Sequence, residues 1–573
     1  MSLDGTVVKN LVYEFNNEIL NGRIDKIYQN NNNEILINIR AQGKKYRLFI
    51  SLSGNPRIHF SVLEFDNPQN PPAFCMLLRK HLENGQIISI EQYLMDRIIK
   101  ININSRDELG LDTSKGIIVE LMGKYSNIIL IDNNDNRIID ALKRINFNVS
   151  SVREILPGLT YNPKDISNGI DPCDDIDITD LIIKYPDNVN IKRFLLDSFT
   201  GISPQMCEEI SYRSGLDLNI NIKDLEDNEL SIFSKSFDEI FSLIKTYSFS
   251  PIKIYKNEIF KDFYSIDLQN LNNNEKEFHE SISEIIEEFY NSKSIRDSIS
   301  SKSSNLKKII NKDIKKISRK IANQSNELNV ALNREKFKIY ADLLSSNFYK
   351  INKGDEKVLV ENFYDNMKEV EIPLDPTLDG PRNASKYYKK YSKLKNASIY
   401  LEEQIDLGKA ELNYLNSILL NIDMAESPDD FDEIYEELEK QGYIKKRNRK
   451  LKRKKNTEEN YLIFETDDGF KIYVGKNNKQ NDYLTLKFAN KKDLWFHVKD
   501  APGSHVILKD DNRNFTDKAL IEAARLAAKY SSISTSSNIP VDYTFKANIK
   551  RHPSKKPGLV NYTNYKTINI KKE

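Results

Sequence analysis

The sequence predicts an α+β multidomain protein in which a long helical hairpin separates two regions that contain strands. Three observations indicate this fold class. The chain has 573 residues, which is too many for one hydrophobic core. Both ends of the chain alternate apolar with polar residues, as half-buried β-strands do. The middle repeats apolar residues at intervals of three and four, which is typical of a coiled coil.

Residues 1–170 are predicted to form a mixed α/β domain. Runs rich in Ile, Val and Tyr alternate apolar with polar residues and end at Asn, Gly or Asp, which indicates antiparallel strands. The clearest runs are at residues 34–52, 87–104 and 117–132.

Residues 171–270 are predicted to be mostly helical. Within them, FTGISPQMCEEISYRSGL at residues 199–216 joins two short helices through a Gly-Ile-Ser-Pro turn. Such a turn presents backbone N–H groups at a helix N-terminus and can hold a phosphate. Helix–turn–helix packing without a ligand produces the same sequence, and it is the better explanation of this motif taken alone.

Residues 271–441 are predicted to form an antiparallel coiled-coil hairpin. Two segments keep the spacing of a coiled-coil seam. The apolar positions are Leu306, Ile310, Ile314, Ile317, Ile321 and Leu328 in the first segment, and Tyr387, Tyr391, Leu394, Leu401, Ile405, Leu412, Leu415 and Leu419 in the second. An insert at about residues 348–381 contains strand-like alternation and three prolines, so we expect the chain to turn back at this tip. An intermolecular coiled coil is the alternative.

The base of the hairpin carries two further expectations. We expect the Ser-rich stretch at residues 297–304 to interrupt the first helix. We also expect one apolar set near the start of the arm to pack against another at its end. The first set is Phe278, Ile282, Ile285 and Phe289, and the second is Phe431, Ile434, Tyr435 and Leu438.

The C-terminal part of the chain is basic. Residues 442–459 are predicted to be a flexible basic linker, and residues 460–573 to be an α+β domain. From residue 442 onward there are 29 Lys and Arg against 14 Asp and Glu, although the net charge of the chain is only +1. Such a distribution is expected of a protein that binds a polyanion, and a solubilising tail is the alternative.

Several functional classes are not indicated. The sequence has no long apolar run for a membrane span and no apolar segment at its start for a signal peptide. Cys75, Cys173 and Cys207 are scattered, so we expect neither disulfides nor a zinc ribbon, and a cytoplasmic location. No phosphate-binding glycine motif occurs, and we expect no cofactor.

Two motifs of the first domain are candidates for a binding site. Asp96 and Arg97 lie between two strand-like runs, where a structural ion pair is the alternative. In ELMGKYSN at residues 120–127, the glycine permits a tight turn, and Lys124 and Tyr125 can hold a phosphate and stack on a base. A strand–turn–strand hairpin explains the same residues.

The third candidate is DLWFHVKDAPGSH at residues 493–505, which contains the only tryptophan. Trp495 and Phe496 can stack on bases, while the Ser-His pair at the end of the motif contacts phosphate. The alternative is a buried Trp with a Pro-Gly turn behind it. We expect no metal at His497 and His505, because no third ligand follows at a typical spacing.

The sequence resembles the NFACT family nearly end to end, because several motifs occur in the family's order. The matching segments are DG at 4–5, GRIDKIYQ at 22–29, NPQNPPAFCMLLRKHL at 67–82, the Asp96-Arg97 pair, ELMGKYSNIILID at 120–132, LPGLTY at 156–161, LDPTLDGPRNASKYYKKY at 374–391, DLWFHVKDAPGSHVIL at 493–508 and KPGLVNYTNYKTINI at 556–570. The resemblance implies an NFACT-N domain, a helix–hairpin–helix region, the coiled-coil arm and an NFACT-R domain, in the order already given.

The NFACT-N domain is similar to the N-terminal domain of formamidopyrimidine-type DNA glycosylases. Those enzymes use a proline after the initiator Met as nucleophile, followed by a catalytic glutamate. Here Ser2 and Leu3 occupy these positions. A hydroxyl cannot replace a secondary amine in imine formation, so we do not expect DNA-repair glycosylase or lyase chemistry.

The resemblance implies a role in ribosome quality control. The protein would bind a stalled large ribosomal subunit that carries peptidyl-tRNA and recruit alanyl-tRNA for untemplated C-terminal alanine tailing, which marks the chain for degradation. The ribosome would form the peptide bonds, so no catalytic centre is expected. The implied partners are rRNA and stalk-base proteins, reached by the arm tip, tRNA, and the small RNA-binding protein RqcP. A surface adhesin that binds fibronectin is the alternative, suggested by an older family name.

The resemblance also assigns site residues. The residues implied to contact tRNA, or to organise its site, are Asp96, Arg97, Glu120, Gly123, Lys124, Tyr125, Ser126 and Asn127. The residues implied to contact the ribosome or RNA are Asp493, Trp495, His497, Pro502, Gly503, Ser504 and His505.

Overall fold

A computed structural model describes residues 3–65, 68, 70–107, 109–148, 153–446 and 461–571. Ser2 and residues 447–459 of the expected linker lie outside the described residues. The chain divides into two compact units, Met1–Ser294 and Ile295–Glu573. Both units combine helices with sheets, which confirms the α+β multidomain class. In the described part of the chain, no helix is both long and apolar enough to cross a membrane.

An antiparallel sheet of nine strands dominates the first unit, in the order β4-β3-β2-β1-β5-β6-β7-β8-β9. Its strands are β1 Arg23–Asn31, β2 Glu34–Ala41, β3 Lys44–Ser51, β4 Arg57–Phe60, β5 Gln86–Gln92, β6 Ile98–Arg106, β7 Asp112–Glu120, β8 Asn127–Asp132 and β9 Ile138–Ala141. Helices α1 (Gly5–Ile19) and α2 (Ala73–Leu82) contribute fully buried side chains, such as Leu11 and Leu78, to the same core as the sheet. The mixed α/β prediction for this region is confirmed.

The remainder of the first unit is only partly helical. Its helices are α3 Ile178–Lys184, α4 Ile191–Ser198, α5 Pro204–Ser214 and α6 Asp227–Lys245, and its strands are β10 Ile252–Lys256, β11 Ile259–Tyr264 and β12 Glu275–Phe278. The prediction of helix up to residue 270 was wrong for residues 252–264. Asn257 and Glu258 both adopt positive φ, at 52° and 62°, and such a two-residue turn joins the strands of a hairpin.

The second unit begins within an antiparallel helical arm. Its elements are α7 Ile282–Leu332, which starts in the first unit, α8 Glu335–Ser346, β13 Lys357–Asn362, β14 Lys368–Pro373, α9 Gly380–Met424 and α10 Pro428–Lys440. Lys307 Nζ lies 2.5 Å from Asp423 Oδ1, and Arg334 Nη1 donates to Ser398 Oγ at 3.1 Å. Partner numbers fall as the numbers along the first helix rise, which confirms the antiparallel hairpin. The strands β13 and β14 form the predicted insert.

Two expectations about the base of the arm were wrong. The α7 helix runs without a break through the Ser-rich stretch. An unbroken helix cannot fold back on itself, so it cannot bring its own start against the end of the arm. The two apolar sets therefore do not pack against each other. Ile282, Ile285 and Phe289 belong to the core of the first unit, and Phe278 is exposed. The second set packs with Leu306, Ile310, Tyr414 and Ile418.

The C-terminal domain is a six-stranded antiparallel sheet covered by one helix. The sheet has the order β15-β16-β18-β17-β19-β22. The elements are β15 Leu462–Glu465, β16 Lys471–Val474, α11 Asn478–Tyr483, β17 Leu494–Val498, β18 Val506–Leu508, α12 Asp517–Lys529, β19 Asn538–Phe545, β20 Ile549–Arg551, β21 Val560–Tyr562 and β22 Lys566–Lys571. The face of α12 towards the sheet is made of buried alanines, which permit close packing.

Candidate nucleic-acid interface

Asp96 and Arg97 lie in a cleft of about 670 Å³ between the sheet and the helices of the first unit. Asp96 is largely buried, and its Oδ1 accepts a hydrogen bond from the Arg97 backbone N–H at 2.7 Å. Arg97 Nε lies 4.0 Å from the same oxygen, and 31% of the Arg97 side chain is exposed. Within the described residues, the guanidinium has no closer carboxylate partner. The backbone therefore fixes the carboxylate, while the guanidinium keeps donors for a ligand. We call this the Arg97 cleft.

The Gly-Ile-Ser-Pro turn forms the opposite side of the Arg97 cleft. Residues 199–204, which lead into α5, line the cleft together with Asp96 and Arg97. Ser203 is the N-cap of α5, and its Oγ accepts from Met206 N at 3.3 Å. The N-terminus of a helix carries a partial positive charge, so it favours an anion on the same side as the guanidinium. The sequence suggested these two features separately, and the structure brings them together.

Three backbone segments meet at the base of the cleft with no room for side chains. A Cβ on Gly5 would lie 1.9 Å from the Met95 carbonyl oxygen, and a Cβ on Gly201 would lie 1.8 Å from it. Gly201 also adopts a φ of +73°. Gly5 N donates to Gly201 O at 3.0 Å. The start of α1, the β5–β6 connection and the turn before α5 are thereby held at fixed separation.

A buried carboxylate beneath the cleft joins the two helix starts. Asp4 caps α1 by accepting from Thr6 N at 3.0 Å and Val7 N at 3.2 Å. Its other oxygen accepts from Ser203 Oγ and from Tyr264 Oη, each at 2.5 Å. Burial raises the pKa of Asp4, and these four donors oppose that rise. Sequence reasoning missed this network; the only signals were Asp-Gly and Ser-Pro, which are typical of helix starts.

The second predicted motif lies beside the Asp96-Arg97 pair, in the turn that joins β7 to β8. Leu121 N donates to Arg97 O at 2.9 Å, so the turn after β7 lies next to the Asp96-Arg97 pair. Gly123 adopts a φ of +58°. Tyr125 is 59% exposed, and Lys124 Nζ lies 4.7 Å from the centre of its ring. Both side chains are exposed, and their contact with a phosphate and a base stays a prediction.

The other residues of this motif bind their own chain. Glu120 is fully buried, and Arg153 donates to its two oxygens at 2.7 and 2.6 Å. Tyr161 Oη donates to Glu120 Oε1 at 2.9 Å. Ser126 and Asn127 are also fully buried. Ser126 Oγ donates to the Gly123 carbonyl, and Asn127 exchanges three hydrogen bonds with neighbouring backbone. These three residues can organise the turn, but their polar groups do not face a ligand.

In the C-terminal domain, the predicted stacking residues do not form an exposed platform. Trp495 and Phe496 are both fully buried. Successive residues of a strand point to opposite faces, so Phe496 packs into the core beneath α12, whereas Trp495 packs with Leu484, Ile507 and Ile549 on the other face. Both faces of β17 are covered, so neither ring is exposed, as the alternative of a buried Trp with a Pro-Gly turn behind it expects. The stacking of these rings on bases stays a prediction.

Trp495 instead lines a cavity of about 270 Å³, which we call the C-terminal cavity. The Trp495 ring is stacked on His497 at 5.6 Å and meets His505 edge-on at 5.2 Å, both measured between ring centres. Tyr562 also lines the cavity. The indole Nε1 is buried and has no hydrogen-bond partner in the described part of the chain, so the cavity wall contains a polar donor without an acceptor.

Burial favours the neutral form of the two histidines in the C-terminal cavity. Burial lowers the pKa of His497 and the pKa of His505, and the proximity of His497 lowers the latter further. His505 Nδ1 lies 2.6 Å from Thr485 Oγ1, in a π-helical turn after α11. Across the described ranges, no three His, Cys, Asp or Glu residues are grouped to hold a metal ion. Two neutral imidazoles and an indole suit a planar, uncharged group.

The remaining residues of the motif support the cavity. Pro502 is half-buried and lines it. Asp493 is fully buried and accepts from Lys509 Nζ at 2.8 Å and from Asp510 N at 2.9 Å. Ser504 N donates to Tyr530 O, and a Cβ on Gly503 would lie 2.8 Å from Val498. Asp493, Gly503 and Ser504 therefore hold the loops.

A sheet unit with a polar cleft, a helical hairpin and a basic α+β domain, in this order, define a multidomain protein of the NFACT class. The family model described as NFACT N-terminal and middle domains matches residues 4–457, and the model described as NFACT protein RNA binding domain matches residues 460–564. The chain belongs to the NFACT family.

Relatives match the chain over nearly its whole length. It is 35% identical to "Rqc2 homolog RqcH" of Bacillus subtilis, over 99% of this chain and 97% of that protein. It is 32% identical to "Rqc2 homolog RqcH" of Streptococcus pneumoniae, over 100% of this chain and 98% of that protein. The solved structure of the fibrinogen binding protein from Staphylococcus aureus is 31% identical, with a TM-score of 0.43, and covers 51% of this chain and 99% of that chain.

Proposed function

We propose that this protein is a ribosome-associated quality-control factor. It binds a stalled large ribosomal subunit that carries peptidyl-tRNA and recruits alanyl-tRNA for untemplated C-terminal alanine tailing. The relatives named Rqc2 homolog RqcH, similar over nearly all of both chains, support the general role. The observation that carries the proposal is the Arg97 cleft, where a guanidinium, a helix start and a fixed carboxylate converge.

In this proposal the Arg97 cleft takes part of a tRNA. The Arg97 guanidinium holds a phosphate, and the positive end of the α5 dipole favours the anion on the same side of the cleft. The Asp96 carboxylate accepts a hydrogen bond from a base or a 2′-hydroxyl. On the adjacent turn, Lys124 binds a further phosphate and Tyr125 stacks on a base. Glu120, buried with Arg153, holds that turn in position.

The other regions are assigned to the ribosome. We propose that the C-terminal cavity, lined by Trp495, His497 and His505, receives an unpaired nucleotide of the RNA, and that the arm tip contacts rRNA and stalk-base proteins. RqcP is proposed as the small protein that assists tailing in the cytoplasm. In this mechanism the chain positions tRNA, and peptide bonds form in the peptidyl-transferase centre of the ribosome.

The double substitution Asp96→Ala and Arg97→Ala tests the assignment of the cleft. Both groups act on tRNA in the proposal, so we expect alanine tailing of a stalled nascent chain to be lost. Co-sedimentation with free large subunits should persist, because other regions supply it. Tailing is measured by mass spectrometry of the nascent chain, together with sequencing of the tRNAs that co-purify.

A matched control is available on the same sheet. Arg106 and Asp112 also form an Arg–Asp pair, with Nε and Oδ1 3.1 Å apart, and both are largely exposed. Replacing both by Ala removes the same charges from β6 and β7 and should leave tailing unchanged. Normal tailing by the Asp96 and Arg97 variant would contradict the assignment of these two residues to tRNA binding.

A further inference from the structure

The α7 helix carries an exposed row of basic side chains on the shaft of the arm. We call Lys308, Lys312, Lys315 and Arg319 the basic stripe; all four are exposed. Their spacing of four, three and four residues places them on one face of the helix. The opposite face is apolar: Leu306 and Ile310 are fully buried in the core of the arm. The stripe therefore points away from that core.

The charges of the basic stripe are not neutralised by the protein. Lys302 and Lys307, elsewhere on α7, lie 3.8 Å from Asp432 and 2.5 Å from Asp423. No such partner approaches any of the four stripe residues within the described ranges. Solvated helix faces ordinarily intersperse both signs of charge, and four like charges repel one another. A single-sign row without acids fits a surface that meets an anionic partner.

The dimensions of the basic stripe fit the backbone of RNA. At ~1.5 Å per residue, the four groups span roughly 16 Å. One strand of a nucleic-acid helix advances about 3.4 Å per nucleotide, so the stripe covers about five nucleotides. A depression runs along α7, and all of its lining residues belong to this helix. Six of them are basic, including the four stripe residues, and two, Asp313 and Glu327, are acidic. The row contains no aromatic side chain, so it offers charge without a stacking surface for bases.

We propose that the basic stripe binds the phosphate backbone of RNA without regard to sequence. The arm then holds RNA along its shaft as well as at its tip. This inference rests on the proposed function, because it assumes that the protein works on an RNA-containing assembly. The backbone is that of rRNA in the large subunit, because the proposed function assigns the arm to the ribosome and assigns tRNA to the Arg97 cleft; tRNA is therefore the comparison in the experiment.

The test replaces all four stripe residues by Gln in the full-length protein. Gln removes the charge but retains high helix propensity, so the helical circular dichroism signal should not change. Binding is measured to large subunits, to protein-free rRNA of the large subunit and to deacylated tRNA, between about 50 and 200 mM salt. Four phosphate contacts contribute about 3 to the slope of log affinity against log salt. The ratio of wild-type to variant affinity should therefore fall roughly 60-fold across this range.

A control with the same loss of charge is provided by Arg106, Lys184, Lys235 and Lys245. These three lysines and one arginine are exposed, and each already has an acidic partner. Changing them to Gln should leave both affinity and slope at the wild-type level. A stripe-specific loss with rRNA supports the inference, and a loss confined to tRNA contradicts the assignment to the large subunit.

Two further results would overturn the inference. The first is wild-type affinity and slope for every RNA in the stripe variant. The second is a loss confined to intact subunits with none on either naked RNA, which would indicate an acidic protein partner. A wild-type protein that binds neither subunits nor RNA would instead refute the proposed function itself.

Discussion

Glu437 is a carboxyl group that joins three helices of the second unit. It lies on α10 and is 5% exposed. Its Oε1 accepts from Tyr414 Oη of α9 at 2.7 Å and from Asn478 Nδ2 of α11 at 3.2 Å. Burial raises the pKa of Glu437 to about 7 in spite of these donors. We therefore expect the stability of the junction between the arm and the C-terminal domain to depend on pH.

Glu437→Gln tests this sensitivity. Because the folded-state pKa is above the unfolded value of 4.5, the Glu437 carboxyl of the wild type is neutral at low pH. The free energy of unfolding of the protein decreases as the pH rises through 7 and this carboxyl ionises. Above that pH, ionisation costs up to about 3 kcal/mol. Gln keeps the Oε1 acceptor and cannot ionise. The free energy of unfolding in urea, wild type minus variant, should fall between pH 5 and pH 8. An equal difference at both values would contradict the assignment.

Single residues of the site could be predicted only where they lie close in sequence. Asp96 with Arg97, and Lys124 with Tyr125, form short motifs that the chain presents at turns. The network beneath the cleft joins Asp4 to Ser203 and Tyr264, which are some two hundred or more positions away. No local pattern reports such a contact, because it is created by tertiary packing.

At the scale of elements, the arm depends on close contact between its two helices. Gly408 of α9 faces Ile321 of α7, and a Cβ at Gly408 would lie 2.9 Å from Ile321 Cγ1. The glycine therefore permits an approach that a side chain would prevent. Interhelical contacts near Lys307 and Arg334 fix the same register towards either end.

Gly408→Leu should weaken this pairing. The added side chain overpacks the contact with Ile321, which costs about 1–3 kcal/mol, although Leu has the better helix propensity. The control is Lys409→Leu, because the Lys409 side chain is 63% exposed. Thermal unfolding followed by circular dichroism should show a lower midpoint for the Gly408 variant alone. Equal midpoints would contradict the prediction, because they would show that the added Leu side chain does not weaken the pairing of α7 with α9.

The pairing of these helices was predictable, and the continuity of α7 was not. Heptad spacing records which face of each helix is buried, so the sequence indicated the hairpin and its tip. Serine has only moderate helix propensity, and a run of it suggested a break. Buried anchors on both sides of the run, Phe289 and Leu306, show why tertiary packing overrides that weak preference. The hairpin β10–β11 was not predicted, because the helical pattern of the residues before it was extended beyond the true end of α6.

For the whole molecule, hydrophobic cores are confined to one unit or the other. The largest core contains Phe194 and lies within the first unit, and the core around Phe496 lies within the second. Each core is assembled from strands and helices of its own unit, so each has its own cooperative source of stability.

Calorimetry of the full chain should therefore resolve two unfolding transitions. Phe194→Ala and Phe496→Ala each remove a fully buried ring and cost about 3–5 kcal/mol. We expect the first substitution to lower the midpoint of one transition and the second to lower that of the other. Parallel shifts of both transitions by either substitution would show that the chain unfolds as one cooperative whole.

The C-terminal cavity also provides an optical reporter. The chain contains one tryptophan, and that indole lies against two imidazoles and a phenol ring in the cavity wall. All tryptophan fluorescence of the protein thus originates at this one place, whereas the first unit is silent in that signal. In the proposed function, a nucleotide that enters the cavity should change this emission without a label. Tryptophan fluorescence therefore reports on binding at the C-terminal domain and not directly on binding at the Arg97 cleft.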